Sequence, residues 1–307
     1  MNFETLLQTE RYILSEGSLY ELLRRSPEVT FDNHISHAGL IYNEYFSNVL
    51  ERVYRSYVDT AVTSGLSITL STATWRANEE RIRASDFSGR HVNEDNVRFL
   101  KNIRQNYKDT KLSILIKGDI GPKGDAYKPE QAPDTTSAQA FHSHQIKALA
   151  SSGVDYLQAS TLPALSEAIG IALVMSTTKL PFVISFVVDK TGCLFDGTKL
   201  SNAIARIDEA VGDDNVRYGI NCVHPTVLHQ ALDKNPEIKG RIVSFSGNTS
   251  DLSADELDGL EELQTQEPTD FALANKRLLE AHDIQIIGAC CGSNPDHIRE
   301  ISKVLNK

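Results

Sequence analysis

The sequence predicts an α/β protein, a single-domain (β/α)8 TIM barrel that occupies residues 1–307. Short β-branched runs alternate with long amphipathic stretches along the whole chain, which is the pattern of a parallel sheet with helical crossovers. Eight such runs in 307 residues give about 38 residues per βα unit, and this fold needs about 250 residues in all. Hydrophobic residues make up 40% of the chain, and no Gly/Pro/Ser-rich linker divides it, so one continuous core is expected.

Each predicted strand is a short run rich in β-branched and aromatic residues. In chain order the predicted strands are 12–14, 67–71, 112–117, 156–159, 182–188, 217–221, 241–245 and 284–289.

Helix signals lie between these strands. Apolar residues recur at steps of three and four after the first strand: Phe46, Leu50, Val53, Tyr57 and Ala61. This spacing predicts a helix that buries one face. Near the end of the chain, Asn294 and Pro295 precede 296–305, and they predict a last helix with Asn at the N-cap and Pro in the first turn.

Charge and composition narrow the class of partner. The chain has 31 basic and 41 acidic residues, a formal charge of −10, which argues against nucleic acid or an anionic membrane as the main partner. The first residues lack a basic region followed by an apolar run, and no apolar stretch approaches the roughly 20 residues of a membrane span. We therefore expect a cytoplasmic protein that acts on small molecules. The sequence does not specify its oligomeric state.

One segment is unusually acidic. From Ile242 to Asn275 there is no Lys or Arg, whereas eight Asp and Glu residues occur: Asp251, Asp255, Glu256, Asp258, Glu261, Glu262, Glu267 and Asp270. The segment follows the seventh predicted strand and would lie over the mouth of the barrel. Two interpretations stay open, a solvated acidic surface segment or a mobile lid.

Three of the four cysteines fall at the ends of predicted strands. Cys222 ends the sixth, in Gly219-Ile220-Asn221-Cys222, and Cys290 and Cys291 end the eighth, in Gly288-Ala289-Cys290-Cys291-Gly292. The carboxyl ends of all strands of such a barrel meet on one face, so these thiols can meet across 68 positions of sequence. Three thiolates with an open fourth position are typical of catalytic zinc. We predict a Zn²⁺ site at Cys222, Cys290 and Cys291, with a structural or redox cysteine cluster as the alternative.

These motifs resemble those of the homocysteine S-methyltransferase family, which includes betaine- and S-methylmethionine-dependent enzymes. The family's G-[GA]-C-C-G signature matches 288–292, and its G-x-N-C matches 219–222. Weaker matches occur at 118–122, 141–142, 153–157 and 196–198. The resemblance implies a zinc-dependent enzyme that moves a methyl group from an onium donor to a thiol, with homocysteine as acceptor and methionine as product. A different thiol or selenol acceptor, or a zinc-binding barrel without turnover, remains an alternative.

The chemistry implied by zinc needs no catalytic acid or base. A free thiol with a pKa near 8.5 is only about 3% ionised at pH 7. Coordination to zinc would hold the acceptor as its thiolate, a gain of roughly 2 kcal/mol from that pKa difference. Direct attack on an onium methyl then requires no proton transfer, so we name no catalytic side chain beyond the metal ligands.

The resemblance also implies substrate contacts, with departures. The family's two acceptor-binding acids align with Ser15 and Ser160. Glu16 is placed to take the first role, and no acid in the second passage takes the other, so we expect weak binding of homocysteine. Trp75 aligns with a donor-side aromatic, where a ring face would attract an onium cation or simply pack. Asn221, inside the first cysteine motif, is a further predicted substrate contact.

Three histidines and the fourth cysteine receive weaker interpretations. Cys193 follows the fifth strand and is read as an unligated thiol, with a contact near the metal as the alternative. His224 is interpreted as a helix-start residue rather than a fourth zinc ligand. His142 and His144, in a helical stretch, are interpreted as structural.

Overall fold

The computed structural model describes residues 1–212, 216–252 and 264–306. Its strands are β1 (Ile13–Ser15), β2 (Ile68–Ser71), β3 (Ile114–Ile120), β4 (Tyr156–Leu162), β5 (Phe182–Phe186), β6 (Val216–Asn221), β7 (Ile242–Gly247) and β8 (Ile286–Ala289). All are parallel and close into a barrel in chain order, with β8 pairing to β1. The predicted (β/α)8 barrel and its eight strands are confirmed.

Helices surround the barrel. They are α1 (Phe3–Thr9), α2 (Tyr20–Arg24), α3 (Glu44–Ser64), α4 (Glu79–Ala84), α5 (Val92–Gln105), α6 (Thr135–Ser151), α7 (Leu165–Ser176), α8 (Leu200–Val211), α9 (Pro225–Asp233), α10 (Pro268–Ala281) and α11 (Pro295–Leu305). Short 3₁₀ helices occupy His37–Tyr42, Pro129–Gln131 and Pro236–Ile238. Within the described ranges, none of the helices has both the length and the apolar character needed to cross a membrane.

Both helices predicted from sequence are present. α3 buries one face, with Leu50 and Tyr57 fully covered, and it ends at Gly65, whose φ of +70° favours glycine. α11 begins after Asn294, whose side chain accepts hydrogen bonds from the first free backbone N–H groups of the helix.

The amino-terminal end of the barrel is closed by apolar packing. α1 lies across it, and the fully buried side chains of Phe3 and Leu6 contact the first inward-facing residues of several strands: Ile13, Leu115, Tyr156, Val183 and Ile286. The ring of Phe3 stacks on that of Tyr156 with 4.1 Å between centroids. This end is therefore a packed core, and the polar chemistry is left to the opposite end.

Four strands end later than the sequence predicted, β1 by one residue, β7 by two, and β3 and β4 by three each. β3 ends at Ile120 rather than 117, and β4 ends at Leu162 rather than 159. The added residues include Asp119, Ser160 and Thr161, whose polarity is typical of a loop. They lie in strands because their polar atoms are satisfied by one another and by neighbouring strands.

Candidate functional site

Three cysteines meet at the carboxyl ends of β6 and β8. Their sulfur atoms, from Cys222, Cys290 and Cys291, lie within 4.8 Å of one another. The structure joins Cys222 to Cys290 by a disulfide, and Cys291 is a free thiol whose Sγ lies 3.9 Å from the Sγ of Cys290. The predicted convergence of the two cysteine motifs is therefore present in the folded chain.

The cluster suits a soft divalent cation. Two sulfurs bound tetrahedrally to zinc at about 2.3 Å lie about 3.8 Å apart, close to the separation of Cys290 and Cys291. Burial raises the pKa of the Cys291 thiol to about 12, so its thiolate form requires a neighbouring positive charge. A disulfide and a metal complex are alternative states of the same cysteines, because zinc binds thiolates.

The orientation of Cys222 is fixed by its neighbour Asn221. The Asn221 Nδ2 donates to the Cys222 Sγ at 3.2 Å and to Thr161 Oγ1 at 2.6 Å. Its Oδ1 accepts from the Thr161 backbone N–H and from Ser185 Oγ. Cys222 itself has a φ of +58°, a conformation that costs energy in a non-glycine residue and is found disproportionately at functional sites.

The glycines of the second motif have separate structural roles. A Cβ on Gly288 would lie 2.7 Å from the Glu16 carbonyl oxygen and from the Ser15 Cβ, so only glycine lets β8 approach β1 here. Gly292 has a φ of +83°, which turns the chain immediately after Cys291. The motif therefore shapes the wall of the site as well as supplying two thiols.

A cavity of about 300 Å³ lies beside the cysteines. Four of the five predicted substrate contacts line it: Glu16, Trp75, Ser160 and Asn221. The fifth, Ser15, is 1% exposed and contacts the cavity wall through the hydrogen bond from its hydroxyl to the Glu16 carboxylate. The structure therefore gathers the predicted residues around one space, and their roles toward a substrate remain predictions.

One wall of the cavity carries a buried ion pair. The Lys117 Nζ lies 3.4 Å from Glu16 Oε1 and donates to Ser15 Oγ at 2.9 Å. Ser71 Oγ and Ser15 Oγ donate to the Glu16 carboxylate. Burial lowers the pKa of Lys117, but the charges of Glu16 and Asp119 and the phenol of Tyr156 together outweigh it, so the pKa is raised overall and the ammonium form is favoured. Glu16 lines the cavity, and the Lys117 ammonium already pairs with its carboxylate.

Asp119 supplies a second carboxylate that the sequence analysis did not identify. It follows Lys117 by two positions on β3, lines the cavity and is 9% exposed. Its Oδ1 accepts a hydrogen bond from Ser160 Oγ at 2.5 Å. Burial raises the pKa of Asp119 to about 6, and the hydrogen bond from Ser160 opposes that shift. In the sequence, Asp119 lies within 118–122, a segment that shows only a weak match to the family's glycine-proline turn.

Aromatic rings form another part of the wall. Trp75 and Tyr20 have ring centroids 6.0 Å apart, and Tyr20 also contacts His37 edge-on at 5.5 Å. Burial lowers the pKa of His37 to about 4, so this imidazole is neutral near pH 7. The Arg76 guanidinium lies 4.1 Å from the Trp75 ring centroid and does not itself line the cavity.

The remaining predicted residues lie elsewhere. Cys193 is a free thiol outside the three-sulfur cluster. His224 is the N-cap of α9, accepts from the Thr226 backbone N–H, and faces Gln266 with its Nε2. His142 is fully buried and pairs with Glu167 at 2.8 Å, whereas His144 is exposed on α6.

The acidic segment is described only at its ends. Residues 253–263, which the lid interpretation concerns, lie outside the described residues. On the described side, the Thr249 backbone N–H donates to the Cys291 carbonyl at 3.1 Å, and the Gln266 N–H donates to the Thr249 carbonyl at 3.0 Å. The Thr265 hydroxyl donates to the Gly292 carbonyl at 3.0 Å, so both described ends of the segment contact the loop that carries Cys291.

Fold and site together define a (β/α)8 barrel with a three-thiol cluster in its mouth. The family model for homocysteine S-methyltransferase matches residues 4–305. The chain therefore belongs to the homocysteine S-methyltransferase family.

Curated relatives match over part of their lengths. A homocysteine S-methyltransferase of Bacillus subtilis, YbgG, is 26% identical over 61% of this chain and 60% of its own. One from Escherichia coli is 30% identical over 36% of this chain and 37% of its own. The selenocysteine methyltransferase of Astragalus bisulcatus is 29% identical over 63% and 59%. The matched regions thus span less than two thirds of each of these relatives.

Solved structures agree on the fold. The oxidised form of the homocysteine methyltransferase MmuM from Escherichia coli superposes with a TM-score of 0.77, at 21% identity, over 98% of both chains. Its metallated form gives a TM-score of 0.76, at 21% identity, over 97% of this chain and 98% of the other. At this identity the likeness establishes the barrel.

Proposed function

We propose that this protein is a zinc-dependent S-methyltransferase that transfers a methyl group from an onium donor, such as S-methylmethionine or betaine, to a thiol. Homocysteine is the proposed acceptor and methionine the product. The observation that carries the proposal is the meeting of three sulfurs within 4.8 Å on the wall of one cavity. Membership of the homocysteine S-methyltransferase family supports it.

Cys222, Cys290 and Cys291 are the residues that would hold zinc. When bound there, zinc would keep an acceptor thiol ionised near neutral pH. The protein's own contribution is positional. Asn221 directs Cys222 through the N–H···S contact of 3.2 Å, and a hydrogen-bond donor to sulfur also moderates the negative charge that three thiolates bring together.

The reaction balances without an acid or base. The acceptor sulfur attacks the methyl carbon, a new S–C bond forms, and the donor's S–C or N–C bond breaks with its electron pair. That pair neutralises the onium heteroatom, so no proton moves in this step. Alignment of sulfur, methyl and leaving atom inside a cavity of about 300 Å³ is then the main task of the protein.

The aromatic wall suits the positive donor. Trp75 and Tyr20 line the cavity beside the neutral His37. Because Arg76 already covers one face of the Trp75 ring, an onium group would meet the part of the ring that faces the cavity. Electrostatic attraction to such rings contributes about 0.5–2 kcal/mol, depending on how dry the contact is.

A metal and activity measurement tests the proposal. We expect about one zinc per chain in reduced, zinc-loaded protein, with three sulfur ligands at about 2.3 Å by X-ray absorption. A matrix of thiols and onium donors, read by mass spectrometry, should show a methylated thiol. Cys290→Ser should lose both zinc and activity, whereas the matched Cys193→Ser should keep both. Full zinc occupancy in Cys290→Ser would contradict the site.

A selenol acceptor is the second candidate. The similarity to a plant selenocysteine methyltransferase favours including it. Selenocysteine and homocysteine share an ammonium and a carboxylate, so the same cavity contacts would serve either one. Competition between the two acceptors at equal concentration, measured as the ratio of methylated products, separates these candidates.

A further inference from the structure

We propose that Asp119 and Gln158 form a cation subsite at the carboxyl ends of β3 and β4, and that this subsite binds the ammonium group of an aminothiol acceptor. The proposal rests on the methyl-transfer function above and specifies the acceptor's chemical class. It assigns to β3 a role that the sequence analysis sought at positions 15 and 160.

Strand register places the members of the subsite together. Asp119 pairs with Gln158 across β3 and β4, so their side chains project from the same face of the sheet. Ser160 lies two residues beyond Gln158 and shares that face. All three line the cavity that Cys222 and Cys290 also line. A ligand held by its sulfur at the cysteines would therefore share one cavity with Asp119.

A chain of hydrogen bonds fixes how these side chains point. Gln158 Nε2 donates to Ser160 Oγ at 3.0 Å, and Ser160 Oγ donates to Asp119 Oδ1 at 2.5 Å. Because the single hydroxyl proton of Ser160 is used on Asp119, Gln158 must present its NH₂ group to Ser160. The Gln158 Oε1 is then turned away from that contact.

This leaves a buried acceptor without a donor. Gln158 is 5% exposed, and its Oε1 is buried with no hydrogen-bond partner among the described residues. Buried polar atoms are satisfied in most proteins, and exceptions call for a specific explanation. Gln158 lines the cavity, so a rotation of its amide toward the cavity would let an N–H group of a ligand satisfy this oxygen.

The charges around the cavity also favour a ligand that carries a positive charge. Lys117 pairs with Glu16 at 3.4 Å and lowers the pKa of Asp119 only from a greater distance, since in the described part of the chain no Lys, Arg or His lies within 4.0 Å of the Asp119 carboxylate. A buried carboxylate without a close cation is unfavourable, as the raised pKa of Asp119 also indicates. A ligand cation would compensate this charge.

An ammonium group meets both requirements. It carries a positive charge for Asp119 and up to three N–H donors, one of which serves Gln158. A neutral hydroxyl would satisfy Gln158 but leave the charge of Asp119 unbalanced. Divalent calcium or magnesium would need about six oxygen ligands, more than Asp119 and Gln158 offer. The ligand class is therefore a thiol with a primary amine a few bonds from its sulfur.

Calorimetric titration of reduced, zinc-loaded protein tests the subsite. Homocysteine is compared with 4-mercaptobutyrate, which keeps the thiol and the carboxylate but lacks the amine. We expect native protein to prefer homocysteine by about 10–100-fold, the range for one charge-assisted contact. Asp119→Asn should abolish that preference by weakening homocysteine alone. Asp134→Asn, on an exposed helix cap, is the matched control and should keep it.

Two results would overturn the subsite. One is equal affinity of native protein for the two thiols, and the other is a loss in Asp119→Asn that is the same for both. A third ligand, 2-aminobutyrate, carries the amine without sulfur and so reports on the subsite independently of zinc. Suppose that native protein transfers no methyl group but binds 2-aminobutyrate, and that the Asp119→Asn variant does not bind it. The proposed function then fails while the subsite stands. If native protein transfers a methyl group but shows no preference for thiols with an amine, the proposed function stands and the subsite fails.

Discussion

The two ends of the barrel are made by the same eight strands but follow different rules. At the amino-terminal end, α1 and the first strand residues pack into a dry apolar cluster around Phe3. At the carboxyl end, the strands and the residues directly after them bury Glu16, Lys117 and Asp119, and Cys222 has a φ of +58°. Packing explains the first end on its own. The second carries a buried carboxylate of raised pKa and a strained backbone, which is the pattern expected where stability is exchanged for function.

The largest expected effect lies at the amino-terminal end. Phe3→Ala removes a fully buried ring that stacks on Tyr156, so unfolding free energy should fall by about 3–5 kcal/mol. Urea denaturation measures this loss. Zinc affinity of the folded variant should stay at the native level, since among the described residues the apolar cluster around Phe3 and the cavity wall have no member in common. A coupled loss of zinc would show that the two ends are not independent.

At the carboxyl end a substitution should stabilise instead. The pKa of Asp119 is about 6 in the folded chain, above its ordinary 3.8, so ionising it opposes folding. The penalty is fully present above pH 6, shrinks as pH falls through that range, and vanishes below about pH 4. Asp119→Asn should therefore raise unfolding free energy at pH 8 by up to about 3 kcal/mol, with the gain gone near pH 4.

Urea denaturation of ligand-free protein at pH 8 and near pH 4 measures that gain. Asp134 is the matched control, because backbone hydrogen bonds from Ser137 lower its pKa rather than raise it. Asp134→Asn should show no gain at pH 8. Equal stability of native protein and Asp119→Asn at pH 8 would show that the folded chain already compensates the Asp119 charge.

The sequence predicts the barrel and its cysteine cluster but not the role of Asp119, and the reason is physical. The alternation of strands and helices predicts the barrel, because it is a local pattern. The cysteines at strand ends predict the thiol cluster, because the carboxyl ends of all strands of such a barrel meet on one face. Asp119 escaped prediction because its significance depends on the pairing of β3 with β4 and on Ser160, 41 positions away. Asp119 and Ser160 are polar residues typical of loops, so the sequence pattern ends β3 and β4 too early.

A smaller effect should follow from loosening the thiol cluster without removing a ligand. Asn221→Ala deletes the N–H···S contact to Cys222 and the bonds to Thr161. Loss of such an outer contact typically lowers metal affinity by about 10–100-fold. Competition with a chromophoric chelator measures it. Asn96→Ala is the control, because its buried amide donates to the carbonyls of Ala38 and Val92, far from the cysteine motifs in sequence. An equal loss in both variants would indicate general destabilisation.

The smallest expected effect concerns the aromatic wall. Trp75→Leu should weaken binding of an onium donor by about 0.5–2 kcal/mol, up to roughly 30-fold in KM, while zinc content stays unchanged. The low end of that range is expected, because the Arg76 guanidinium 4.1 Å from the ring centroid already draws on the same electron density and repels a second cation. An analogue with carbon in place of the onium atom keeps the shape and loses the charge, so it separates electrostatic attraction from packing. If the ring acts on charge, the substitution spares the neutral analogue. If Trp75 only packs, beside the Gly121 backbone that bonds its carbonyl, both ligands lose affinity alike, and the donor must then be sought against Tyr20 or Tyr127 on the same wall.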